Sequence, residues 1–284
     1  MKKARYFITG ITTLLVLTGC GPGTKKPLQV CPGKSSIAEA LSALQSKSEN
    51  MVSLYARGKS RLLYYDENGK KHKENLDVKI IVKSSDEIYL QGDMSIVPKA
   101  IMLGSNKYEF WLAIKPKEIS EYWWGQWPDL DSSQDLLINP KTLLEALGIA
   151  KVNLQGDWSL SNKGPFDILT MRQEGVIIKK IYVYCCDYTI RKIEYFDSDG
   201  QALACMELDE YKEVTENFLV PSHIEVTTYG SDKKEDTISF TFDLNSIEHK
   251  TITASQNRYF ERPAPQGYKN LHRLENGRWI EFQQ

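Results

Sequence analysis

A mainly β fold of antiparallel hairpins, interrupted by two short helices, is what this sequence predicts. Three observations carry that reading. Apolar and polar residues alternate along most of residues 51–244, which is the period of a strand with one buried face. Clusters such as Asp66-Glu67-Asn68-Gly69 and Asp197-Ser198-Asp199-Gly200 interrupt the alternation at short intervals, as hairpin turns do. Only two stretches repeat their apolar residues at helical spacing instead.

The first twenty residues form a unit of their own. Lys2, Lys3 and Arg5 precede an apolar run over residues 6–17, and Leu17-Thr18-Gly19-Cys20 closes it. A basic start, a short apolar middle and a small-residue end make a secretory signal, and the run is too short for a transmembrane helix. Its last four residues resemble the lipobox of bacterial lipoproteins. That resemblance implies that residues 1–19 are removed and that Cys20 becomes the mature N-terminus. Cys20 would carry a covalent lipid that holds the chain to a membrane without crossing it. Gly21 stands where many inner-membrane lipoproteins have Asp, which points to the outer membrane, facing the periplasm. Residues 20–34, rich in Gly, Pro and Lys, read as a flexible tether.

A helix follows. Ser36 is its cap, Glu39 stands three residues on, and Ile37, Ala40, Leu41 and Leu44 form its apolar stripe. From residue 51 the period becomes two. Leu54, Ala56, Leu62 and Tyr64 oppose Tyr55, Arg57, Lys59 and Arg61, and then Leu76, Val78, Ile80 and Val82 oppose Asp77, Lys79 and Lys83. A third strand covers residues 87–91. Residues 94–104, which include Met94, Ile101 and Met102 but only Lys99 as a charge, read either as a buried segment or as an adaptable wall for a lipid chain. Tyr108, Phe110, Leu112 and Ile114 give the next inward face. Trp123, Trp124 and Trp127 crowd residues 119–127, fitting a pocket mouth or a membrane interface, or rings that alternate across a strand. Asn139-Pro140 opens the second helix, whose stripe is Leu143, Leu144 and Leu147 before Gly148 ends it. Strands then resume over residues 158–160, 166–172, 176–185, 190–196, 203–211, 218–228 and 238–244. The total is eleven or twelve, and the last forty residues turn irregular apart from a short closing segment over 279–282.

Composition excludes several function classes. Loss of the signal removes three basic residues, so Lys+Arg falls from 36 to 33 against 37 Asp+Glu, and the net charge moves from -1 to -4. A basic face for nucleic acid is therefore not expected. With Cys20 assigned to lipid, Cys31, Cys185, Cys186 and Cys205 remain for disulfides, and their pairing stays open. A bond between the neighbours Cys185 and Cys186 is the least favoured, because adjacent strand residues point to opposite faces. No Cys-x-x-Cys or His-x-x-x-His spacing occurs, so neither a metal nor a dissociable cofactor is expected. His72, His223, His249 and His272 are scattered, and no Gly-x-Ser-x-Gly motif accompanies them. The chain reads as a protein without enzymatic activity.

Four segments, in this order, carry a resemblance. They are Ala56-Arg57-Gly58-Lys59, Ser105-Asn106-Lys107-Tyr108-Glu109-Phe110-Trp111, Asn139-Pro140-x-x-Leu143-Leu144 and Phe218-Leu219-Val220-Pro221-x-x-Ile224. Together with the capped helix they resemble the LolA and LolB lipoprotein carriers over residues 35–250, leaving 251–284 as an irregular C-terminal extension. The resemblance implies an open antiparallel β half-barrel of about eleven strands, with helices covering its concave face. It also implies an apolar cavity for the acyl chains of a lipid or lipoprotein, with a periplasmic carrier protein as a partner.

Strand parity and helical stripe select the lining of that cavity. The residues are Leu54, Leu62, Val78, Ile80, Leu90, Met94, Ile101, Met102, Phe110, Leu112, Trp124, Leu143, Leu144 and Leu147. The alternative is a structural or envelope-sensing lipoprotein of the same fold, with a filled core and no lipid cargo.

Overall fold

Alternation at period two commits each strand to one apolar face, and the chain resolves this demand with one sheet. The computed structural model describes residues 28–65, 69–116, 119–130, 140–149, 153–229 and 238–283. Cys20 and the signal lie outside the described residues. Helix α1 (Ile37–Glu49) leads into β1 (Leu54–Tyr65), β2 (Lys71–Ser84), β3 (Glu87–Asp93), β4 (Ile101–Ser105), β5 (Glu109–Ile114) and β6 (Glu121–Gln126). Helices α2 (Trp127–Leu130) and α3 (Pro140–Ala146) follow. The second run of strands is β7 (Asp157–Lys163), β8 (Phe166–Gln173), β9 (Val176–Tyr184), β10 (Thr189–Phe196), β11 (Ala202–Thr215), β12 (Phe218–Thr228) and β13 (Ile238–His249). A 3-10 helix (Ala254–Phe260) precedes β14 (Asn270–Glu275) and β15 (Arg278–Gln283).

All fifteen strands share one sheet in the order β15-β14-β6-β5-β4-β3-β2-β1-β13-β12-β11-β10-β9-β8-β7. The expected count of about eleven is therefore too low. The additional strands are β4 and β6, read from sequence as an apolar segment and an aromatic cluster, and β14, which lies where an irregular extension was expected, while β15 falls on the short closing segment over 279–282. Pairing is antiparallel throughout except where β14 runs parallel to β6. That exception has a topological cause. After β13 the chain crosses the outer face of the sheet and rejoins it beyond β6, and a chain entering from that side runs with β6.

The sheet must curl. Helix α3 contacts β4, and its Glu145 meets Lys179 of β9 at 2.6 Å. Those strands stand eight places apart in the order, which is about 38 Å along a flat sheet at the usual strand spacing. A helix of seven residues spans only about 10 Å. The inner surface so formed holds the main core, a continuous cluster that includes Leu54, Leu62, Ile80, Ile88, Leu103, Ile224, Val226 and Phe242. Both helices close it. Ala40, Leu41 and Leu44 of α1 and Leu143, Leu144 and Ala146 of α3 belong to the same cluster, with Leu147 just beyond α3. Among the described residues no helix is long and apolar enough to cross a membrane.

Local chemistry sets the helix ends as the sequence indicates. Ser36 Oγ accepts from the Glu39 backbone N–H at 3.2 Å, and the Glu39 carboxylate reaches back to the Ser35 N–H at 3.1 Å. The bonds from the Ser35 N–H and hydroxyl hold the Glu39 carboxyl below its usual range. Gly148, at φ +73°, takes the left-handed turn that ends the α3 segment.

The segment after β13 acts as a strap across the outer face. Phe260 is buried against Ile81 and Tyr89. Asn106 Nδ2 donates to the Phe260 carbonyl at 3.1 Å, Tyr122 OH donates to the Pro263 carbonyl at 2.5 Å, and Arg262 Nε pairs with Glu109 at 2.8 Å. Burial pushes the Tyr89 and Tyr122 hydroxyls up to about 12. Farther along, Tyr268 and Leu271 join Met102, Trp111, Ala113 and Tyr122 in a second core on this face. Gly104 permits that packing, because a Cβ there would stand 2.5 Å from the Trp111 ring.

The tether also departs from expectation in its described part. Cys31 and Cys186 form a disulfide, while Cys185 and Cys205 remain free. The Lys34 backbone N–H donates to Asp167 at 2.9 Å, and Asn162 Nδ2 donates to the Lys34 carbonyl at 3.4 Å. Residues 28–34 are thus fastened to the edge of the sheet at β7–β10, which is incompatible with a free linker.

Phe260→Ala should cost about 3–5 kcal/mol, the usual penalty for truncating a buried Phe. A urea titration checks this by a lower midpoint with an unchanged slope, and an unaltered midpoint would show the strap to be ornamental.

Candidate functional site

The inner face is built by register. Leu54 pairs with Val82, Ala56 with Ile80 and Gly58 with Val78 across β1 and β2, while Ile80 faces Leu90 and Val78 faces Gly92 across β2 and β3. Leu90 pairs with Leu103, and Leu103 with Leu112. Each pair sets its residues side by side on the same surface, apolar throughout, with Gly58 and Gly92 leaving Val78 flanked by bare backbone.

Ten of the residues selected from sequence meet there: Leu54, Leu62, Val78, Ile80, Leu90, Ile101, Leu112, Leu143, Leu144 and Leu147 all lie in the main core. Met94 is half-buried against it. Phe110 shares the inner parity but packs at one end with Leu274, Trp127 and Trp279. Met102 and Trp124 do not belong to the inner face. Met102 lies between Ile101 and Leu103 on β4, so alternation turns it outward, and Trp124 pairs with Trp111 in the outer core beneath the strap. The inward ring of that run is Trp123, which pairs with Leu112. Its ring stacks on His272 at 3.8 Å, and its Nε1 donates to Glu121 at 2.7 Å. Trp123 and Trp124 take opposite faces of β6, as a strand dictates, while Trp127 starts α2 and packs on Phe110.

The lining is filled by the protein's own side chains. Each of those ten residues is at most 7% exposed. Residues 94–104 divide into a turn and a strand. Met94 and Val97 exchange backbone hydrogen bonds at 3.0 and 3.2 Å, which pushes Ile96 out to 89% exposure, while Ile101–Ser105 enter the sheet.

Two polar clusters, neither apparent from strand parity, hold the helices on this face. Beneath the start of α1, Asp167 is fully buried. It accepts from the Lys34 N–H, from Asn162 Nδ2 at 2.6 Å and from the Cys185 thiol at 3.3 Å. Burial and the adjacent Asp167 carboxylate push the Cys185 thiol up to about 11. Lys47, near the other end of α1, donates to the Asp187 carbonyl at 2.5 Å, and burial lowers the affinity of its amine for a proton. Across the inner face, Glu145 of α3 accepts from Lys179 Nζ and from the Tyr195 hydroxyl. Burial, then the Glu145 charge, raises the Tyr195 hydroxyl well above its ordinary value.

The remaining candidates stay apart. His72 stacks on Tyr64 in the β1–β2 hairpin, His223 pairs with Asp243 at 2.7 Å, and His249 bonds to the Ser53 carbonyl at 2.9 Å. Together with His272 on β14 they occupy four different strands. Among the described residues no group of three or more His, Cys, Asp or Glu is placed to hold a metal ion. A polar groove of about 680 Å³ lies on the outer face, lined by Glu109, Trp124, Gln126, Arg262 and Arg273 among others. Ion pairs between Arg262 and Glu109 and between Arg273 and Glu275 satisfy most of its charge.

A single curled sheet closed by helices on its inner side is an arrangement found in solved structures. An outer membrane lipoprotein-sorting protein domain from Vibrio parahaemolyticus superposes with a TM-score of 0.54 at 10% identity, covering 77% of this chain and 94% of that one. The chain has the LolA/LolB-like fold. A DUF1329 family protein from Desulfovibrio piger matches this LolA-like fold with a TM-score of 0.52 at 10% identity, over 82% of this chain and all of the other. A LolA superfamily protein from Nitrosomonas europaea aligns at 0.49 and 13% identity, over 78% and 97% of the two chains. No protein-family model matches the sequence, and no curated protein matches it. Identities this low establish the LolA-like fold alone.

Lys179→Met leaves the Glu145 carboxylate buried without its cation, a change that costs about 3–5 kcal/mol where both partners are desolvated. With Lys179 and Glu145 side chains 12% and 16% exposed, the lower part of that range is expected. Hydrogen exchange over residues 140–146 should quicken by at least an order of magnitude while exchange in β1 and β2 holds steady. Equal acceleration everywhere would mean that the pair stabilises the whole domain and not α3. For Cys185, a pKa near 11 leaves about one thiol in a thousand ionised at pH 8. Iodoacetamide should accordingly alkylate it far more slowly than a free thiol.

Proposed function

We propose that this chain is a lipid-anchored protein of the bacterial envelope that takes an acyl chain, from a lipid or a lipoprotein, onto its concave face. The observation that supports it most directly is the difference in how the two covering helices are held. The segment entering α1 is fixed by a covalent bond and a buried carboxylate, whereas α3 docks through non-covalent contacts that include the Glu145–Lys179 pair, the Tyr195 hydroxyl and a short apolar stripe. Helix α3 is the removable cover. Undocking it exposes Leu143, Leu144 and Leu147, at roughly 1.5–3 kcal/mol each. A chain of ten methylenes entering the space contributes about 8 kcal/mol at roughly 0.8 kcal/mol per CH₂. The two terms are of similar size, so loading and unloading lie near balance, as a carrier requires.

In this reading Cys20 is the acylated residue, the site is the outer membrane on its periplasmic side, and cargo comes from a periplasmic carrier protein. No catalytic group is involved. The apolar lining does the work, and Ile96 on the turn after β3 supplies an exposed apolar contact. A second reading is favoured by one specific observation, the near-complete burial of the inner face. There the helices never leave, and the protein acts through its surface as a structural or sensing lipoprotein.

One experiment separates them. The chain from residue 21 onward is purified, its bound lipid identified by mass spectrometry, and its uptake of a fluorescent fatty acid compared with that of Glu145→Gln. The carrier reading expects co-purified lipid and uptake increased about tenfold in the variant, equivalent to about 1.4 kcal/mol of relaxed closure. Absence of lipid and of probe uptake in both proteins would establish the filled-core reading.

A further inference from the structure

The disulfide fixes a direction as well as a contact. Cys186 lies in the turn between β9 and β10, and strand pairing traced across the sheet places that turn at the same end as the β7–β8, β4–β5 and β14–β15 turns. The turns after β1, β3, β5 and β10 are all at the opposite end. Cys31 is bonded to Cys186, so the chain leaves the body at the first end.

We propose that this end, formed by the β7–β8 and β9–β10 turns and residues 28–31, is the surface that rests on the lipid bilayer. The inference rests on the reading that Cys20 is acylated. Eleven peptide units separate Cys20 from Cys31, which reach at most about 38 Å and typically span about 18 Å if flexible. The longest strands, fourteen residues each in β2 and β11, stand about 46 Å tall. The tether is too short for the body to turn over and bring the far end onto the membrane. Two further side chains fit this contact. Leu28 and Val30, on the pinned segment itself, are 48% and 67% exposed, and apolar groups so placed enter the interfacial layer when the anchor inserts. Lys163, the last residue of β7 beside the β7–β8 turn, is exposed and suits anionic headgroups.

The opposite end, with the exposed Ile96, then faces away from the anchoring membrane. Any protein partner approaches there, across the aqueous space.

The test uses the full-length acylated protein in vesicles of phosphatidylethanolamine with a minority of phosphatidylglycerol. Lysine acetylation is read by mass spectrometry and compared with that of the unacylated chain in solution. Labelling of Lys163 and Lys34 should fall several-fold on the vesicles, while Lys99 and Lys71, at the far end and exposed, keep their rates. Equal protection of both sets, or greater protection of Lys99 and Lys71, overturns the proposal while leaving the anchor intact. Failure to float with the vesicles removes the anchor itself, and this proposal with it. A second variant carries about 24 Gly and Ser residues between Lys26 and Pro27, enough to let the body turn over. It should float equally well and lose the contrast between the two sets. A contrast that survives the longer linker would show that the pinned tether is not what orients the body.

Discussion

A sheet that curls on itself without a second sheet leaves one large apolar surface to be covered by whatever the chain can spare. Here that is two helices, of thirteen and seven residues. Neither length is stable alone in water, so each helix exists because the sheet beneath it supplies both an apolar bed and a polar clasp. The clasps differ in kind. The segment entering α1 is tied by the Asp167 cluster and by the Cys31–Cys186 bond, which does not release in an oxidising compartment. Helix α3 is clasped without a covalent bond, in part through Glu145.

The outer face shows the complementary solution. A fifteen-stranded antiparallel sheet would expose the apolar residues of its central strands, and Ile81, Tyr89, Trp111 and Tyr122 are such residues. The strap covers them, with Phe260 on Ile81 and Tyr268 on Tyr122, and then contributes β14 and β15 to an edge that β6 would otherwise leave unpaired. Lys79 and Lys83 lie over the rings of Tyr259 and Phe260, so strand charges that would face water bind the strap instead.

Sequence and structure part at residues whose position depends on register. Within an apolar run such as Ile101-Met102-Leu103, alternation divides neighbours between two cores, and because both faces are covered, hydropathy could not tell inside from outside. Met102 and Trp124 fell on the outer side for this reason. Strand β14 carries no comparable local signal: its partner β6 lies some 150 residues away in sequence, and only the strap brings the two together. The inner faces of β12 and β13, with Ile224, Val226 and Phe242, were legible as strands by the same parity but were not selected as lining.

Local chemistry decided much before the chain folded. Strand period, the Ser36 cap, the Pro140 start and Gly148 stop, and described hairpin turns such as Asp197–Gly200 are short-range preferences, realised where the sequence places them. Most of the lining followed, because a strand with one apolar face can hide it in only one direction. What tertiary structure alone decided were the choices between distant partners: which of four cysteines pair, which acid meets Lys179, and where the chain crosses back over the sheet. These depend on distances between residues far apart in sequence, which exist only after the sheet has curled.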